Sequence, residues 1–432
     1  MTMAAAAEKR AHDANLDHLK RRQTLTVGWV LIALAIVVAL VFGVESGGNA
    51  TFRLATRTDA FPMPNLAIPA APYAYVIAVV LAFLGARQFV RGAAKTSSLF
   101  FGIGLLLTVT AFLVWATAGK EFSLTGMLQA TVIRAVPIAL GGLVGTLCER
   151  VAVVNIGIEG MLLSGAFTGS IIASVLTPLL GAALGGTAGL IAAIAIGGLM
   201  GLLLGALVIT FRVDQIIAGV AINLFVLGLT SYVTSQVLTT HHELNNAPIF
   251  PAWNIPFLSG IPVIGPMFFQ QNLFVYGAAI LIASSTYYLF HTRMGLRARA
   301  VGERPEAADT LGINVYRVRY INVMIGGMVA GFAGAWFTLG SVGRFDMNMT
   351  NGRGFIGLAA MIFGRWHPVG ALAAALVFGF ADALQQKLAI VQTPIPSEFL
   401  AMAPYIATIV LVAGIVGRAR APAADGKPYV KE

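Results

Sequence analysis

Residues 184–210 read LGGTAGLIAAIAIGGLMGLLLGALVIT, without one charged side chain. A helix rises about 1.5 Å per residue, so this run crosses the roughly 30 Å hydrocarbon core of a bilayer with length to spare. Its glycines let a neighbouring helix approach closely, which matters where lipid supplies no hydrophobic drive for helix association. Comparable apolar runs lie near 27–44, 73–90, 99–118, 132–148, 152–175, 215–238, 273–290, 320–341, 355–364, 370–384 and 400–416. Together they predict an all-α fold, a polytopic transmembrane helical bundle of about 12 spans. The runs at 355–364 and 370–384 are too short to span as straight helices. They flank Gly364-Arg-Trp-His-Pro-Val-Gly370 and read as a broken pair, tolerated at membrane depth only where protein or a wet cavity satisfies the backbone.

Composition agrees. Of 432 residues, 58% are apolar and 11% charged, with mean hydropathy +0.83, whereas a soluble domain carries about a quarter charged residues. The net charge of +10 invites a nucleic-acid reading, but its distribution argues for topology. With both termini cytoplasmic, most Lys and Arg gather inside: in the N-terminal tail, at Arg87, Arg91 and Lys95, at Arg150, Arg212 and Arg365, in the loop 291–319 and in the C-terminal tail. The outer side receives Arg53, Arg57, Lys120, Arg134, Arg344, Arg353 and Lys387, and the long outer loop 239–272 has none. No nucleic-acid partner is expected. A single cysteine, Cys148, excludes a disulfide within the chain. The polar stretch ahead of the first apolar run marks that run as a retained anchor.

The expected organisation is a cytoplasmic tail (1–26), an N-terminal transmembrane extension of about three spans (27–130), a core (131–417) and a polar C-terminal tail (418–432). The core holds nearly all the intramembrane polar residues and the cytoplasmic loop 291–319.

Three stretches carry chemistry. In the loop, Gly295-Leu-Arg-Ala-Arg-Ala-Val-Gly302-Glu303-Arg-Pro305-Glu306-Ala307-Ala308-Asp-Thr-Leu311-Gly312 encodes a short helix. Pro305 suits a first helical position, Glu306 favours the positive end of the dipole, and Gly312 can end the helix in the left-handed conformation. Ala307, Ala308 and Leu311 form its small or apolar face, which suits either a docking element or an ordinary basic loop. The second stretch, Glu149 to Met161, places Asn155, Gly157 and Glu159 in an apolar run. A carboxylate there costs a few kcal/mol to insert, so Glu159 faces a water-filled pathway, a partner, or a neighbouring helix as a structural group. The third, Arg212 to Leu224, sets Asp214 and Gln215 at a helix start and Asn223 deeper, as a pathway group or an interhelical hydrogen bond.

Nothing catalytic emerges. The Gly-Lys pairs Gly119-Lys120 and Gly426-Lys427 are followed by Glu and Pro, so no phosphate-binding loop exists, and no zinc-protease motif occurs. His241-His242 reads as a plain polar pair. No catalytic residue, metal site or cofactor is expected, and any ATP hydrolysis must come from another chain.

At these motifs the chain resembles the permease subunits of bacterial ATP-binding cassette importers, in the nucleoside and simple-sugar subgroup of the branched-chain amino acid and ribose-type permeases. The matching residues are Glu149–Met161, Asp214–Leu224, Gly295–Ile313, Arg353–Pro368 and the ending Gly426-Lys-Pro-Tyr-Val-Lys-Glu432, while the first 120 or so residues depart from the pattern. The resemblance implies a multi-pass subunit of a bacterial cell membrane, embedded in lipid, without an ATPase site of its own. It implies three protein partners: a cytoplasmic ATPase, a second and homologous permease chain, and an extracytoplasmic substrate-binding lipoprotein. It also assigns residues 302–312 to a helix that couples to the ATPase. An ion-coupled secondary transporter is the alternative, with Glu159 as its candidate acid.

Overall fold

The structure, a computed structural model, describes residues 21–431 apart from 23, 45–46, 57–62, 92–93, 392, 394, 403–404, 407–408 and 410–419. Among the described residues, ten helices are long and apolar enough to cross a membrane. They are α1 (Thr24–Gly43), α2 (Ala70–Arg91), α3 (Ala94–Ala116), α4 (Leu124–Glu149), α5 (Ile158–Leu180), α6 (Ala182–Thr210), α7 (Gln215–Leu238), α8 (Leu273–His291), α11 (Val315–Val342) and α13 (Pro368–Ile390). Between them lie the short helices α9 (Arg293–Glu303), α10 (Pro305–Thr310) and α12 (Arg353–Phe363). The expected run at 400–416 falls largely outside the described residues, as does most of the N-terminal tail.

Two expectations are corrected. The run placed at 152–175 enters its helix only at Ile158, because residues 150–157 form a turn and an extended connection. Of the pair judged too short to span, only α12 is short; α13 runs 23 residues from Pro368. The apolar run stops early because Asp382, Gln385, Gln386 and Lys387 interrupt its hydropathy, yet these residues remain helical.

The chain divides into two compact units. In the first, residues 1–125 with 384–417, α1, α2 and α3 pack around Leu31, Val38, Ala74, Leu81 and Ala111. Phe42 stacks on Trp115. A small sheet joins their ends: β1 (Asn49–Arg53) runs antiparallel to β2 (Leu66–Pro69) and parallel to β3 (Glu121–Ser123), pairing Phe52 with Phe122.

In the second unit, residues 126–383 with 418–432, α5, α6 and α11 meet at backbone distance. A Cβ on Gly197 would lie 2.3 Å from the Gly327 carbonyl oxygen, and one on Gly331 would lie 2.0 Å from that of Ala193. Only glycine permits this approach, and the gain is dispersion over long backbone stretches. Gly331→Ala should therefore force the helices apart, costing about 1–3 kcal/mol and lowering the melting temperature in detergent. Gly228→Ala, where a Cβ meets nothing within 4 Å, should leave it unchanged or slightly raised. Equal melting of both variants and the parent would refute the close contact.

Opposite the basic loop, β4 (Trp253–Asn254) pairs with β5 (Gln270–Gln271), and Phe257 between them is 98% exposed. The charge distribution puts this loop outside. A cysteine at Phe257 should react with a membrane-impermeant thiol reagent in intact cells, and one at the exposed Arg297 should not. Equal labelling would overturn the orientation.

Candidate functional site

Four polar or glycine positions expected in a pathway converge on one joint. After α4 the chain turns through Ala152, left-handed at φ 61°, and re-enters a helix at Ile158. The loosened backbone is completed by side chains of α7. Asn223 Oδ1 accepts from the Gly160 N–H at 2.8 Å, its Nδ2 donates to the Ile156 carbonyl at 2.9 Å, and Gln215 Oε1 accepts from the Val154 N–H at 2.6 Å. Gly157 lies against Gly219, whose Cβ would sit 2.8 Å from the Gly157 nitrogen. Asn155 is fully buried, its amide nitrogen 3.5 Å from Cys148 Sγ and 3.6 Å from Met161 Sδ.

Glu159 closes the joint from the other side. Its Oε1 accepts from the Gly352 N–H at 2.8 Å and its Oε2 from the Gly354 N–H at 2.7 Å, so it caps the first turn of α12. A helix start presents unpaired donors and a partial positive charge, and a carboxylate answers both. Of the roles open to Glu159 in the sequence, the geometry matches the structural one.

The basic end holds a second node. Between α12 and α13, Arg365 and Trp366 adopt left-handed conformations at φ 56° and 53°, which β-carbon-bearing residues rarely do. The turn is tied down by α4: Trp366 Nε1 donates to Glu149 Oε2, and Arg150 Nε donates to the Trp366 carbonyl at 2.9 Å. Glu149 also lies beside Asp425. Burial pushes the Asp425 carboxyl up to about 6, against the opposing pull of the Gly426 N–H and the Arg319 charge.

Beside this node, α9 and α10 project as a helical pair. α10 begins at Pro305 and is followed by Gly312 at φ 77°, as the capping residues require. Gly302, Pro305 and Ala308 turn inward and are buried, whereas Glu303, Glu306, Ala307, Leu311 and Gly312 are exposed, Leu311 at 81%. The apolar face expected at Ala307, Ala308 and Leu311 is thus corrected: Ala308 is 2% exposed and packs into the chain, which leaves Ala307 and Leu311 outward.

Sequence reading missed two groups. Asp382 Oδ2 accepts from Arg134 Nη1 at 3.0 Å and from Arg353 Nη2 at 3.2 Å, each side chain about a fifth exposed, so one carboxylate answers two guanidiniums. A lone arginine inside the apolar run of α4 was the available signal. The other is an outer recess of about 880 Å³ lined by Thr234, His242, Asn246, Arg344 and Asp346 among others. At its rim, Asn245 accepts from the Phe345 N–H at 2.7 Å and donates to the Phe345 carbonyl at 2.8 Å.

Residues 127–416 match the family described as "branched-chain amino acid transport system / permease component". The chain belongs to this permease family. It is 43% identical over 308 residues to a guanosine ABC transporter permease protein of Bacillus subtilis, covering 71% of this chain and 96% of that one. It is 40% identical over 306 residues to a nucleoside ABC transporter permease protein of Lactococcus lactis, covering 69% and 95%. A putative glucose ABC transporter permease protein of Haloferax volcanii is 32% identical over 266 residues, covering 61% and 77%.

In this permease the Arg134–Asp382–Arg353 cluster is a stability element. Removing one member of a buried pair costs about 3–5 kcal/mol, less here because each side chain keeps some contact with its surroundings. Asp382→Asn should lower the melting temperature, and adding Arg134→Gln should restore part of the loss by separating like charges. A double variant no more stable than the single one would show that the two guanidiniums do not oppose each other.

Proposed function

We propose that this chain is the membrane-spanning permease subunit of an ATP-driven importer of nucleosides in a bacterial cell membrane. The observation that carries the reading is the 43% identity that extends over 96% of a guanosine permease. A simple sugar is the next substrate class, from the Haloferax relative. The outer recess supports a polar cargo, because it offers imidazole, amide and guanidinium groups to hydroxyls and ring nitrogens.

In this reading a cytoplasmic ATPase supplies the energy, an extracytoplasmic binding lipoprotein delivers the nucleoside, and a homologous second permease chain completes the pathway. The cytoplasmic contact is the exposed edge of α10. Its six residues start at Pro305 and stop short of the left-handed Gly312, and Ala307 and Leu311 form a shallow apolar surface near Glu303 and Glu306. Asn155, Gly157, Glu159 and Asn223 serve the pathway indirectly, as the joint about which α5 and α12 are set. An ion-coupled transporter would need a free membrane-embedded acid, and both oxygens of Glu159 are engaged by α12.

The test is reconstitution of the permease with its ATPase, second permease and binding protein, followed by labelled-guanosine uptake with and without ATP. Uptake that follows a proton or sodium gradient instead would refute the proposal. Leu311→Glu places a charge on the apolar edge without touching the core. An unpartnered charge in an interface costs several kcal/mol, at about 1.4 kcal/mol per tenfold in affinity. The variant should remain in the membrane but lose ATPase co-purification and uptake together. Normal co-purification with normal uptake would remove α10 from the contact.

A further inference from the structure

Residues 420–431 are polar and proline-containing, yet they lie docked across the basic end of the second unit, with Ala424 and Tyr429 only 6% and 5% exposed. They touch every element around α10. The Ala424 N–H donates to the Gly302 carbonyl at 3.0 Å, and the Ala423 N–H to Glu303 Oε2 at 3.3 Å, at the end of α9. On α10 itself, Lys431 Nζ lies 3.5 Å from Asp309 Oδ1. On α11, the Tyr429 ring packs on Tyr316 at 5.4 Å and Arg319 Nη1 donates to the Lys427 carbonyl at 3.4 Å. Asp425 reaches Glu149 at the end of α4.

A six-residue helix has almost no stability of its own, because nucleation costs more than a turn or two of hydrogen bonds returns. Its covalent neighbours do little to fix it: Arg304 is non-helical on one side, and Gly312 is left-handed on the other. What fixes α10 is its buried edge, Pro305 and Ala308, together with the Lys431 contact to Asp309. An element that passes displacement from an ATPase to the bundle must not yield under load. The tail joins α10 to α4, whose Glu149 and Arg150 hold the turn into α13.

We infer that residues 420–431 form a strap that positions α10 for energy coupling, with Tyr429, Lys431 and Asp425 as positioning residues. This rests on the coupling reading of α10. The strap makes α9, α10, α11 and the end of α4 one mechanical body. Without it, α10 still meets the ATPase through Ala307 and Leu311, but part of its displacement is absorbed at the Arg304 and Gly312 connections.

The experiment measures ATP hydrolysed per guanosine imported, in proteoliposomes holding equal amounts of the assembled complex. Two strap variants are compared with the parent: Tyr429→Ala, and a chain ending at Ala421. Both should still co-purify with the ATPase, and the ratio should rise about fivefold or more, the loss that about 1 kcal/mol of misdirected coupling gives. Tyr429→Phe, which keeps the ring on Tyr316, should lie nearer the parent than Tyr429→Ala. A parental ratio in Tyr429→Ala overturns the strap, including when the yield of complex falls, because a packing role alone lowers yield and leaves the ratio. If Leu311→Glu retains both co-purification and uptake, the coupling reading itself fails, whatever the strap variants do.

Discussion

A bilayer offers no hydrogen-bond partners, so a helix that breaks inside one must have its freed N–H and C=O groups answered by other parts of the protein. This permease breaks its helices twice in the same neighbourhood, before α5 and before α12. Asn223 reads both faces of the first break, taking the Gly160 N–H and giving to the Ile156 carbonyl. Glu159 takes two donors of the second. Because Glu159 stands in the first turn of α5, the two breaks share one support. Losing either side chain leaves buried backbone donors unpaired, each a cost of about 1–3 kcal/mol, and it disconnects α5 from α7 or α12.

The glycine contacts set what can move. α5, α6 and α11 approach to backbone distance along several turns, and such packing resists small sliding because every offset brings a carbonyl against a Cα. These three helices therefore behave as one block. The non-helical places are residues 150–157, the left-handed turn at Arg365 and Trp366, and the connections on either side of α10. Two of the three meet at the end of α4, where Glu149 and Arg150 hold Trp366.

Much of this was legible in the sequence. Long uncharged runs such as 184–210 marked the spans. Pro305 and Gly312 marked the ends of α10, since fixed φ at one and tolerance of positive φ at the other are local properties. What stayed hidden was tertiary. Nothing local tells which side of α10 is buried, so Ala308 looked as available as Ala307. The reach of α13 past Asp382 was hidden because hydropathy counts a charge against a span without knowing that Arg134 and Arg353 neutralise it. The tail read as a polar end, and its polarity masks three buried residues, Pro422, Ala424 and Tyr429.

The placement of polar groups also bears on how a permease can be selective without reactive chemistry. Glu159, Asn223, Gln215 and Asn245 bond mainly to backbone, and Asp382 bonds to arginines; each is committed to holding shape. A nucleoside carrier that bound its cargo tightly at mid-membrane would slow its release, because affinity in one conformation must be undone in the next. What the chain's polar groups and glycines hold in place is a tightly packed three-helix block and two supported breaks.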